Sequence, residues 1–100
     1  MIAVNGELDL ATAPRLCVRI SGARSRGVRR VLVDLSATTF CDSTGLRALI
    51  GENHELKVYG GRMGVVCPGE GPVFRLFEMT GTHELLAVQD SADAALDALV

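Results

Sequence analysis

The chain has 100 residues, 48% of them hydrophobic and 22% charged, with a formal net charge of −2, which describes one small globular domain over residues 1–100 rather than a disordered or fibrous chain. A domain of this size hides about 60–70% of the surface that its unfolded chain exposes, enough for one core but rarely for enclosing a large substrate, so the composition favours a binding module over an enzyme. Ten Lys and Arg against twelve Asp and Glu leave no basic excess, which argues against a nucleic-acid partner.

Residues 2–4 and 8–10 flank Asn5-Gly6, the pattern of a short first extended segment and a turn. Thr12 is a candidate cap, Pro14 suits a first helical turn, and Ala13, Leu16, Cys17, Ile20 and Ala23 recur on one helical face that Gly22 and Gly27 bracket. Val31-Leu32-Val33-Asp34-Leu35 reads as a central strand covered on both faces. Residues 36–42 look like a turn. Asp42 or Ser43 then caps a helix with the stripe Leu46, Leu49, Ile50 and Asn53, which closes near Gly60-Gly61. Met63 to Cys67 is the next buried strand. Val73, Leu76 and Phe77 mark a helix that Gly81 stops, Leu86-Ala87-Val88 is a brief strand, and Asp90 or Ser91 caps a last helix with Ala92, Ala95, Leu96 and Leu99 facing inward. Strands alternating with helices predict an α/β fold with right-handed crossovers, shifting to α+β if an N-terminal hairpin dominates.

The charge is uneven. Residues 1–50 hold seven Arg against four acids, and residues 51–100 hold three basic residues against eight acids. Arg15, Arg19, Arg24, Arg26, Arg29 and Arg30 form either a solvated face or a basic flank for an acidic protein partner. Cys17, Cys41 and Cys67 are odd in number and sit among apolar neighbours, which predicts core thiols rather than a disulfide framework. With no long apolar run and no signal-peptide pattern at Met1-Ile2-Ala3-Val4-Asn5, the expected location is the cytoplasm, without membrane insertion.

Catalytic patterns are absent. His54 and His83 are the only histidines, no C-x-x-C or H-x-x-x-H pair occurs, and no G-x-S-x-G elbow is present, so neither a metal nor another cofactor is expected. Gly69-Glu70-Gly71 stands between a strand and a helix, but Phe74 fills the third glycine position of a dinucleotide fingerprint, and no P-loop lysine follows. More informative is Phe40-Cys41-Asp42-Ser43-Thr44-Gly45-Leu46-Arg47, which puts an acid, two hydroxyls and a glycine where a loop becomes a helix. Taken alone, it reads as simple helix capping, with Ser43 or Thr44 accepting an N–H bond and Asp42 complementing the helix dipole.

Four motifs in order extend that reading over nearly the whole chain. These are Gly6-Glu7-Leu8-Asp9 with Thr12-Ala13; Val33-Asp34-Leu35 leading to Phe40-Cys41-Asp42-Ser43-Thr44-Gly45-Leu46; Gly60-Gly61; and Arg75-Leu76-Phe77-Glu78-Met79-Thr80-Gly81. Together they resemble the STAS family, and within it the bacterial anti-sigma factor antagonists. The resemblance implies a single STAS domain: a mixed, mostly parallel sheet of about four strands packed with about four helices, the first strand short. It implies a non-enzymatic phosphoprotein that regulates transcription by partner switching. Unphosphorylated, such a protein binds an anti-sigma factor serine kinase and releases sigma factor; phosphate on Ser43 abolishes that binding, and a phosphatase restores it. Asp9, Asp42, Thr44, Gly45 and Arg47 are the implied supports of partner binding or of the phosphorylated site. Arg47 stands where many relatives carry a smaller residue, which bears on partner choice. Other roles compatible with the resemblance are a non-switching subunit of a membrane lipid-transport ATPase complex and a nucleotide-binding STAS protein.

Overall fold

The computed structural model describes residues 1–99 in the order β1 (Ile2–Ala3), β2 (Gly6–Leu8), α1 (Ala13–Ser25), β3 (Arg30–Asp34), β4 (Thr38–Cys41), α2 (Ser43–Val58), β5 (Arg62–Val66), α3 (Pro72–Thr80), β6 (Val88–Gln89) and α4 (Ala92–Leu99). Strands β1, β3, β5 and β6 make a four-stranded sheet in the order β1-β3-β5-β6, every pairing parallel. Parallel neighbours cannot be joined by tight turns, so a helix lies between each strand and its partner, as the alternating pattern predicts.

The apolar runs of β3 and β5 arise because both faces of the sheet are covered. Val31, Val33, Met63, Val65 and Cys67 enter the main core with Leu16, Ile20, Leu49, Leu56 and Phe77. The alternate residues Leu32 and Val66 pack on the opposite face with Ala95 and Leu99 of α4. Side-chain alternation along a strand requires this division. Leu96, expected to face inward on α4, is instead exposed, because only Ala92, Ala95 and Leu99 meet the sheet.

The N-terminal stretch departs from a hairpin. Residues 2–8 run alongside residues 33–41 throughout: Ile2 pairs with Val33 in the main sheet, and Leu8 pairs with Cys41 in a separate parallel pair, β2 with β4. Between them Val4 N–H donates to Asp34 O at 2.9 Å, Gly6 N–H to Ala37 O at 3.0 Å, and the Thr38 hydroxyl to Val4 O at 2.7 Å. Gly6, with φ +87°, bends the strand rather than reversing it, a backbone state that glycine enters without steric cost. Residues 38–41, read from the sequence as part of a turn, are therefore strand β4. The third predicted strand also shifts: Leu86 and Ala87 lie in a turn, Ala87 at φ +50°, and pairing begins only at Val88.

Helix starts follow local chemistry. Thr12 does not cap α1 with its side chain. Its hydroxyl donates to Glu7 O at 2.8 Å and accepts from Asp9 N–H at 2.9 Å, which ties the turn that leads into the helix. Ser91 Oγ accepts from Ala94 N–H at 3.2 Å at the start of α4. An ion pair of 3.3 Å between Arg24 and Glu52 joins α1 to α2.

Candidate functional site

The best-defined polar constellation forms where β2, β4 and the first turn of α2 meet. Asp42 is the N-cap of α2: its backbone is extended, and its Oδ1 accepts from Gly45 N–H at 2.9 Å. The Asp42 N–H in turn donates to Leu8 O at 3.3 Å, which docks the helix start on the end of β2. Gly45 permits this contact. A Cβ there would press into Leu8 O and stand 2.9 Å from Leu8 Cγ and 3.1 Å from Cys41 Sγ.

Capping is thus assigned to the acid and not to either hydroxyl. Ser43 is exposed at the first helical position, and neither its side chain nor that of Thr44 hydrogen-bonds any described residue. Opening N–H groups of a helix lack intrahelical acceptors and carry partial positive charge, so the Ser43 hydroxyl sits where an anionic group is tolerated. Arg47 is exposed four residues along the same helix, one turn from Ser43.

The β2–β4 register brings Asp9 to the same end, one residue beyond the Leu8–Cys41 pair. Its carboxylate is committed to its own loop, accepting from Ala11 N–H at 3.0 Å, Thr12 N–H at 3.1 Å and the Thr12 hydroxyl at 3.1 Å. Partial desolvation pushes this carboxyl up, but the Thr12 and Ala11 hydrogen bonds together with Glu7 outweigh it and hold it below the usual carboxylate value. Asp9 therefore shapes the loop beside Ser43 without bonding the Ser43 hydroxyl. Two apolar side chains at this end stand out only in the structure: Leu10 is 73% exposed and Phe40 47% exposed. The alternation of β4, with Cys41 inward and Phe40 outward, would have identified Phe40 had the strand been recognised.

Two consequences are measurable. Asp42→Ala removes the cap and costs about 1 kcal/mol, within a range of roughly 0.5–2, while Asp42→Asn keeps the acceptor and nearly all the stability. Thermal melts of the two variants check this, and equal melting temperatures would contradict the capping role. Cys41, beneath the loop, is pushed up to about 11 by burial and then by the neighbouring Asp42 and Cys67 charges. Its thiol stays neutral at pH 8, so iodoacetamide alkylates the native protein at Cys41 much more slowly than it alkylates the unfolded chain. Because the folded thiol holds its proton above the ordinary value of 9.0, its stabilising effect is complete below pH 9 and is lost as pH rises toward about 11.

Comparison with known proteins shows the family to which the chain belongs. The family model described as the STAS domain matches residues 1–95. The chain belongs to the STAS domain family. This STAS chain is 30% identical over 92 residues to the anti-sigma-B factor antagonist of Staphylococcus aureus, covering 92% of this chain and 84% of that protein. It is also similar to the crystal structure of an anti-sigma factor antagonist from Mycobacterium paratuberculosis, with a TM-score of 0.83, 32% identity, and coverage of 97% of this chain and 81% of the other. A further neighbour is the anti-sigma factor antagonist SpoIIAA in its unphosphorylated form, with a TM-score of 0.70, 26% identity, and coverage of 96% and 84%. These relatives are regulators, and membership of this STAS group makes the chain a regulatory protein rather than an enzyme. Among the described residues no helix is long and apolar enough to cross a membrane, and no three His, Cys, Asp or Glu side chains gather in a group that could hold a metal.

Proposed function

We propose that this protein is an anti-sigma factor antagonist controlled by phosphorylation of Ser43. In its unphosphorylated state it binds an anti-sigma factor that is also an ATP-dependent serine kinase, and sigma factor is released. Phosphate on Ser43 ends the complex, and a phosphatase renews it. Its setting is the bacterial cytoplasm. The observation that carries this reading is the division of labour at α2: Asp42 caps the helix and leaves the adjacent Ser43 hydroxyl exposed and unused by the fold. The names of the relatives supply the class of partner.

The neighbouring residues have distinct parts in this proposal. Asp42 and Gly45 hold the helix start against β2 and so fix the position of the hydroxyl. Asp9 orders the adjoining loop. Thr44 and Arg47 border the docking surface, and Leu10 and Phe40 supply the apolar contact area. The direct test is incubation with the cognate kinase and ATP, followed by mass spectrometry of the peptides. Stoichiometric phosphate on Ser43 and none on Thr44 is expected. An unmodified Ser43 beside an active kinase overturns the proposal.

A further inference from the structure

The end of the sheet remote from Ser43 carries charge that the regulatory site does not use. Arg30 opens β3 and Arg62 opens β5, and the parallel register sets the two residues side by side. Like charges opposite each other on neighbouring strands oppose pairing. The guanidinium of Arg29 lies over Gly60, its Nη1 3.5 Å from where a Cβ would stand. Arg29, Arg30 and Arg62 line one open cavity of about 740 Å³, with Val28, Gly60 and Leu99 among its other walls. None of its lining residues is acidic, and the one ion pair among the described residues, Arg24 with Glu52, involves none of these three arginines. The C-terminal ends of α1 and α2 point this way, but each contributes only about half an elementary negative charge, so most of the positive charge remains unbalanced.

We propose that this cavity binds an oligophosphate group. Guanidinium forks match phosphate oxygens in pairs, and three arginines bordering one concave space suit a compact, multiply charged anion better than an extended acidic chain. No aromatic side chain lines the cavity to stack a base, so recognition falls on the phosphate chain. Helix α2 runs the 16 residues from Ser43 to Val58, about 24 Å at 1.5 Å per residue, so anion binding here is separate from phosphorylation at Ser43.

The test is titration of the isotope-labelled protein with inorganic tripolyphosphate and, in parallel, with ATP, at an ionic strength held near about 0.15 M so that general screening stays constant. Expected are saturable amide shifts confined to residues 27–30 and 60–62. The double variant Arg30→Gln/Arg62→Gln should bind at least about tenfold more weakly with its fold unchanged, and Arg29→Gln alone should also weaken binding. Equal affinity for both probes identifies the phosphate chain alone as the ligand, and tighter ATP binding identifies a nucleotide. Identical shifts with sulfate, full binding by the arginine variants, or binding of a polyglutamate peptide without binding of tripolyphosphate overturns the proposal.

Discussion

Phosphorylating Ser43 is expected to weaken the complex with the anti-sigma factor by at least about 100-fold, which requires a loss of about 2.8 kcal/mol. The phosphate adds about −1.5 to −2 charges at an exposed position on the proposed docking surface. Unmodified, the Ser43 hydroxyl is small and neutral, and the exposed Leu10 and Phe40 side chains at the same end offer apolar area to the partner. Burying an unpaired charge in such a contact costs several kcal/mol, more than the loss required. Ser43→Ala should bind with nearly native affinity and resist the kinase, while Ser43→Asp, with a single charge, should bind weakly. Calorimetric titration of the bare, phosphorylated and substituted proteins into the same partner measures all of these. Equal affinities for the bare and phosphorylated forms would remove the switch from the mechanism.

The free protein should tolerate the same phosphate. The helix N-terminus offers uncompensated N–H groups and partial positive charge, and Arg47 stands one turn away. On the proposed function, the modification should therefore change the surface presented to the partner and leave the backbone in place. Its effect appears only when a partner must desolvate it.

The parts of this arrangement legible in the sequence are those decided by local pattern or by burial on both faces. β3 and β5 are continuous apolar runs because α4 covers one side of the sheet and the main core covers the other. α2 was legible from its stripe and its capping residues. β4 was not, because its Thr38-Thr39-Phe40-Cys41 segment is mostly surface-facing and its pairing partner β2 lies more than 30 positions away in the chain. The opening stretch misled for a related reason: Asn5-Gly6 has the composition of a reversing turn, but the strand it would reverse into is already committed to β4. Within the site, the motif was readable but the division of roles was not. Asp42, Ser43 and Thr44 are all competent caps by type, and only the contact of the helix start with Leu8 O decides which one serves.

That contact makes Gly45 the most demanding position of the motif. Gly45→Ala should destabilise the protein by about 1–3 kcal/mol, the usual cost of forcing an extra methyl into a packed site. For a domain of this size each kcal/mol lowers the melting temperature by about 4–8 °C, so the loss is easily measured. Alanine is the better helix former by about 1 kcal/mol, so any destabilisation observed is net of that gain and understates the cost of the clash. The methyl would meet the Leu8 backbone carbonyl on one side, which has no flexible end that can swing away, and the buried Cys41 sulfur on the other. Relief requires the first turn of α2 to lift from β2, which stretches the Asp42 N–H bond to Leu8 O and carries Ser43 with it. The variant should therefore lose phosphorylation rate as well as stability, while Gly51→Ala, where a Cβ meets nothing within 4 Å, should lose neither. A Gly45→Ala protein with the native melting temperature and native phosphorylation kinetics would mean that the helix start is not held against β2 in solution.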